Sequence, residues 1–121
     1  MHGNKVVVYP HQRGGEDRRR IVIDDTLGRG HALWTADVDG DAADEIIVGH
    51  SEPASGEIKG PGVYIYDANA DGTQWTKHVI DDGGMATEDA IAADLHGDGR
   101  TDIVAGGRDT HNVKLYWNEG K

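Results

Sequence analysis

The apolar residues of this 121-residue chain fall in short runs, each bounded within a few positions by glycine, aspartate or proline. Runs of this length, rich in β-branched and aromatic residues, predict strands rather than helices. Nine are predicted: Val6 to Tyr9, Arg20 to Ile23, Leu33 to Ala36, Glu45 to Val48, Val63 to Tyr66, Lys77 to Ile80, Ile91 to Ala93, Asp102 to Ala105 and Val113 to Trp117. The joints are Pro10, Gly14-Gly15, Asp39-Gly40-Asp41, Gly83-Gly84 and Gly97-Asp98-Gly99, which is hairpin and loop chemistry.

The pattern repeats. A shift of 57 places lays Ile23-Asp24-Asp25 on Ile80-Asp81-Asp82, Asp37 on Asp94, Asp41 on Asp98, Glu45 on Asp102 and Gly49 on Gly106. The repeat units span residues 3–59 and 60–116, and the last loop is shorter, so that Val113 follows Val63 by only 50 residues. A repeat of this length indicates an array in which no unit buries its apolar face alone. Four strands per unit suit one blade of a β-propeller. With the strands of a blade labelled a to d from the axis outwards, the chain runs c-d, a-b-c-d, a-b-c. The expected fold is therefore all-β, a partial propeller over residues 1–121 with about two blade equivalents. Such a piece exposes sheet edges and apolar faces, which implies either copies of itself or the remainder of a larger propeller as partner.

Composition narrows the partners. A formal charge of -10 argues against nucleic acid and anionic membrane, which require clustered Lys and Arg. The one basic run, Arg18-Arg19-Arg20, leads into apolar Ile21-Val22-Ile23 and fits the decoration of an exposed strand. No apolar stretch is long enough for a membrane helix, and no signal-peptide pattern follows Met1, so the chain is either cytoplasmic or cut from a longer secreted protein. Cysteine is absent, which removes disulfides and thiolate chemistry.

Much of the acid is packed into two segments at matching places in the repeat, which points to cation binding. These are Asp37-Val38-Asp39-Gly40-Asp41-Ala42-Ala43-Asp44-Glu45 before Ile46-Ile47-Val48-Gly49, and Asp94-Leu95-His96-Gly97-Asp98-Gly99-Arg100-Thr101-Asp102 before Ile103-Val104-Ala105-Gly106. Both resemble the FG-GAP/VCBS propeller repeat, in which the acidic loop joins strands a and b and holds calcium. Calcium takes roughly 6 to 8 oxygens, and alternate side chains plus one carbonyl converge if the chain turns sharply. The first loop offers Asp37, Asp39, Asp41 and Glu45 with the Ala43 carbonyl; the second offers Asp94, Asp98 and Asp102 with the Arg100 carbonyl. Ala42 stands where Gly99 does, so a positive φ there is strained. His96 replaces an oxygen donor with an imidazole suited to zinc or copper. The competing reading is a pair of acidic turns, but turn geometry alone gives no reason for the further acids Glu45 and Asp102. An EF-hand does not fit, because Val48 and Ala105 occupy the place of its bidentate glutamate. The third segment, Asp67 to Gly72, is expected to be an ordinary turn.

The b-c and d-a loops lie on the other face of a propeller, and there His31, Glu88, Asp89 and His111 gather. His31 is equivalent to Glu88, and Ala32 to Asp89, each pair expected just before strand a beside the channel. Gly30-His31-Ala32-Leu33-Trp34, Met85 to Asp89 and Gly106 to Asn118 resemble the propeller of the aldos-2-ulose dehydratase group. That resemblance implies a metal-dependent carbon–oxygen lyase, an extracellular setting, and a sugar or metal site faced by these four residues. β-Elimination needs a base beside a carbonyl and a group that stabilises the enolate, roles open to such residues. The alternative is that His31 and His111 only bond loops. Three classes stay open: a calcium-stiffened binding propeller, a keto-sugar lyase, and an adhesion or protein-interaction module.

Overall fold

Alternation along the strands gives each sheet two usable faces, and both faces of the central sheet are apolar. A computed structural model of the chain describes residues 3–11, 14–15, 19–57 and 59–120. Among these, nine strands form three antiparallel sheets. The first pairs β1 (Val6–Val8) with β2 (Ile21–Asp24); the second runs β3 (Gly28–Ala36), β4 (Glu45–Glu52), β5 (Gly62–Ala68), β6 (Trp75–Asp82); the third runs β7 (Thr87–Ala93), β8 (Asp102–Gly107), β9 (Asn112–Tyr116). The fold is all-β with propeller-like blades, as expected. Every predicted strand is present. Arg18 lies outside the described residues, and no helix among them is long and apolar enough to cross a membrane.

Two apolar layers join the three sheets. Val6 and Leu27 pack on Val48, Tyr64 and Tyr66, sealing the first sheet to one face of the second. Ile47, Val63 and Ile65, on the opposite face, pack on Ala90, Ile103 and Ala105 of the third sheet and on Met85 just before it. The second contact is close enough to need glycine: a Cβ at Gly49 would stand 2.2 Å from Thr87 Cγ2. Thr87 also donates its hydroxyl across the gap to the Gly62 carbonyl at 3.0 Å.

A polar clasp accompanies each layer, built on the duplicated aspartates of strand d. Asp24 Oδ2 accepts from Tyr66 Oη at 2.5 Å and lies 2.8 Å from Lys77 Nζ, both in the next sheet, while its Oδ1 accepts the Thr26 N–H at 2.8 Å. Asp81 does the same one repeat on. Its Oδ2 takes Tyr116 Oη at 2.7 Å and Lys114 Nζ at 2.9 Å, and its Oδ1 takes the Gly84 N–H at 2.7 Å. A buried carboxylate is tolerated because every lone pair it presents meets a donor.

Several strand boundaries differ from expectation. Strands β3 and β7 begin at Gly28 and Thr87, earlier than the apolar runs suggest, so His31, Glu88 and Asp89 lie inside strands rather than before them. Strand β4 likewise continues to Glu52, which takes His50 out of the loop and buries it. The cause is tertiary. Gly28 sits so tightly against the end of β4 that a Cβ there would fall 2.1 Å from the Glu52 carbonyl oxygen, a contact no propensity scale records.

Burial pushes the Asp24 carboxyl up, but the hydrogen bonds from Lys77, Thr26 and Tyr66 outweigh it and bring it down to about 2. A carboxyl whose folded value lies below its unfolded one stabilises the fold above the unfolded value and loses that contribution as pH falls through the folded one. Urea unfolding measured from pH 5 downwards should therefore show stability falling between about 4 and about 2, with Asp24 contributing roughly 2 kcal/mol. Asp24→Asn should flatten that part of the curve. An unchanged acid limb in the variant would show that the clasp carries no such energy.

Candidate functional site

Each acidic loop is wound by its own carboxylates. In the β3–β4 loop, Asp37 Oδ1 accepts the Gly40 N–H at 2.7 Å and Oδ2 the Ala42 N–H at 3.0 Å, while Asp41 Oδ1 accepts the Ala43 N–H at 2.8 Å. Glu45 reaches back from the buried start of β4 to accept the Val38 N–H at 2.6 Å. The β7–β8 loop repeats the scheme: Gly97 and Gly99 donate to Asp94 at 2.7 and 2.8 Å, Arg100 to Asp98 at 3.0 Å, and Leu95 to Asp102 at 3.0 Å. The expected backbone strain is present, since Ala42 has φ +73° where Gly99 has φ +84°.

The two loops differ in what the wound chain encloses. Carboxylate oxygens of Asp37, Asp39, Asp41 and Glu45 lie within 4.8 Å of one another. The Glu45 carboxyl is pushed up by burial and by Asp39 against the pull of the Val38 N–H. An oxygen-binding dication suits this donor set. In the second loop Asp94, His96 and Asp98 form the matching group. There the His96 ring itself bridges the carboxylates, Nδ1 to Asp102 and Nε2 to Asp98, both at 2.9 Å. The hydrogen bond to Asp102 leads in raising the imidazole's pKa, which favours its charged form between the two carboxylates. Burial pushes Asp102 up, but the N–H groups of Asn118 and Leu95 and the His96 ring hold it below the usual carboxylate range. Oxygen donors alone fit calcium in the first loop; the imidazole makes the second a poorer fit.

The four residues of the opposite face do not behave alike. His31 and Glu88 are the extra residues of two β-bulges at equivalent places, where Gly30 and Ala32 pair with His50 and Gly49, and Thr87 and Asp89 with Gly107 and Gly106. Bulges re-aim side chains, and here they bring His31 Nδ1 to 3.3 Å from Glu88 Oε2 across the sheet boundary. Asp89 is exposed and accepts the N–H of Ala90, next to it in the strand, at 2.9 Å. His111 lies in the β8–β9 turn at φ +52°, exposed, with its N–H donating to the Arg108 carbonyl at 3.2 Å.

Three contributors escape sequence reasoning. Asn118 stitches the loops together: its side-chain N–H groups donate to the Val38 carbonyl at 2.6 Å and the Thr101 carbonyl at 3.2 Å, and its backbone N–H to Asp102 at 2.9 Å. His50 and Tyr64 are fully buried with rings 4.6 Å apart, and His50 Nε2 and Tyr64 Oη have no hydrogen-bond partner among the described residues. Burial pulls the His50 imidazole below its ordinary value and pushes the Tyr64 hydroxyl up to about 12. Only the Asn after the last strand carried any signal, as a turn residue. Of the segment expected to be a turn, Asp67 and Ala68 end β5 and only the residues from Asn69 on form the hairpin turn, with the Asn69 side-chain oxygen taking the Thr73 and Gln74 N–H groups.

Blades of antiparallel strands stacked through apolar faces, with an acidic a-b loop in each, define a β-propeller-type module. The family model of the FG-GAP-like repeat matches residues 37–105, which takes in both acidic loops and the strands between them. The chain belongs to that family. No curated protein and no solved structure matches it. Because Ala42 is held at positive φ, Ala42→Gly should raise stability by roughly 1 kcal/mol in urea unfolding. A loss of stability instead would mean that the loop relieves the strain elsewhere.

Proposed function

We propose that the chain is a calcium-stabilised propeller module, one part of a ring closed either by further copies of itself or by the rest of a larger propeller. The observation that carries this reading is the convergence of Asp37, Asp39, Asp41 and Glu45 within 4.8 Å in a loop that ties two strands together. Calcium bound there offsets the mutual repulsion of the carboxylates and fastens strand a to strand b. An ion that binds only the folded chain raises its melting temperature by mass action. Millimolar calcium should therefore shift the transition upwards, magnesium less so, and Asp41→Ala should remove much of the shift. His96→Asp, which rebuilds the second loop in the likeness of the first, should enlarge it. A melting temperature indifferent to calcium in all three proteins would sink the reading.

A second reading rests on the His31–Glu88 contact at 3.3 Å. A carboxylate and an imidazole in contact, carried on rigid strands, form an acid–base pair of the kind β-elimination on a keto-sugar employs. One group takes the proton beside the carbonyl; the other protonates the departing hydroxyl, which leaves as water. Asp89 and His111 would then contribute from neighbouring positions once the ring is closed. Incubation with an aldos-2-ulose, followed by the ultraviolet absorbance of the unsaturated product, tests it. Turnover lost in His31→Ala supports the lyase; no turnover and no sugar binding in the parent leaves a scaffold or an adhesion module.

A further inference from the structure

Equivalent positions on neighbouring sheets differ in what covers them. The face that the second sheet turns to the third includes Val63 and Ile65, 0% and 6% exposed. Their equivalents on the third sheet, Val113 and Leu115, are 73% and 50% exposed. Gly106, the equivalent of Gly49, has nothing within 4 Å of where a Cβ would stand, whereas Gly49 is closed off by Thr87. The third sheet thus displays a three-stranded apolar face with no sheet packed on it among the described residues. On the other side of the molecule, the first sheet covers only the outer part of the second. A groove of about 420 Å³ remains over the inner part, lined by Leu33, Thr35, Ile46 and Val48, with Leu33 67% exposed.

We propose that these two faces bind each other between copies of the chain. The β7–β9 face of one copy seats in the Leu33 groove of the next, and β9 takes the place of β1 beside β2. Side-chain size selects this occupant. Within one chain, bulky Ile47, Val63 and Ile65 meet small Ala90, Ala92 and Ala105. At the open faces the balance shifts: the groove side is larger, and the β7–β9 side is smaller at two positions while Val113 and Leu115 match Val63 and Ile65. The groove has Leu33, Thr35 and Val48 where the third sheet has those alanines, and the exposed face has Ile91 and Val104 where the second has Trp34 and Ile47. A close-packed interface tolerates added volume on one side only when the other side gives it up.

Continuity with the contact inside the chain supports the same arrangement. Asp24 already holds β2 in the outermost place of a blade whose inner strands would come from the neighbour. Strand β1 is the one to yield, because it is held to β2 by three residue pairs interrupted by a register shift. Val113 is the repeat equivalent of Val6, so it would enter the apolar layer that Val6 fills. The proposal rests on the blade reading and is independent of calcium.

Sedimentation velocity of the parent chain across a wide concentration range tests it, together with Leu33→Asp and Leu115→Asp. The parent should be a discrete oligomer. Each variant has one blocked face and should fall to the mass of a single chain, while an equimolar mixture of the two should form a two-chain species through the remaining pair of intact faces. A parent monomeric at every concentration, an oligomer that survives both substitutions, or a mixture that stays single-chain would overturn the proposal. Circular dichroism checks that the variants fold; should Leu115→Asp not, Val113→Lys on the same face replaces it. Assembly without a calcium shift, or a calcium shift without assembly, separates this proposal from the calcium reading.

Discussion

A carboxylate at the end of an outer strand, reaching into the next sheet to take a tyrosine hydroxyl and a lysine, sets how the blades stand against one another. Apolar layers are not directional and would let sheets slide. The Asp24–Tyr66 and Asp81–Tyr116 hydrogen bonds give each layer a fixed point, and the turn N–H groups on the other oxygen of each aspartate fix the direction of the carboxylate. Burial pushes both tyrosine hydroxyls up, and their hydrogen bonds to aspartate push them further, so each remains a donor. From this positioning follow the close approach of Gly49 to Thr87 and the contact of His31 with Glu88.

The repeat makes one site in two versions, and the difference between them is chemical. In the first loop four carboxylates converge within 4.8 Å of one another. In the second, a histidine stands where Asp39 stands and ties two carboxylates with its own ring. Asn118 joins the two loops through the Val38 carbonyl, so order in one is passed to the other by a hydrogen bond. The His31–Glu88 pair is built differently, from two bulges that each place one residue outside the ladder.

Much of this was legible in the amino-acid sequence, and the exceptions have physical reasons. Short β-branched runs and a 57-residue register reveal the strands and their grouping into blades, because both signals are local or self-referential. The starts of β3 and β7 were hidden, since Gly28 and Gly30, or Thr87 and Asp89, are drawn into the ladder by the strand beside them rather than by propensity. The bulges were invisible because a bulge is a property of a pair. Asp24 and Asp81 stood out as a repeated dipeptide, but their partners Tyr66 and Tyr116 are 50 residues apart, not 57, owing to the shortened last loop. Ala42 and His96, by contrast, were legible as departures from the equivalent positions, and each has a consequence its chemistry implies: a strained φ, and a ring that bridges two carboxylates.

The measurement that bears most directly on this account is a double-mutant cycle on the second clasp. Stabilities of the parent, Asp81→Asn, Tyr116→Phe and the double variant, from urea unfolding at pH 7, yield the coupling between the two side chains free of their other contacts. The account predicts a favourable coupling of about 1 to 3 kcal/mol, as for a hydrogen bond to a charged group away from water. Two substitutions whose effects simply add would show that apolar packing alone aligns the blades, and would contradict it.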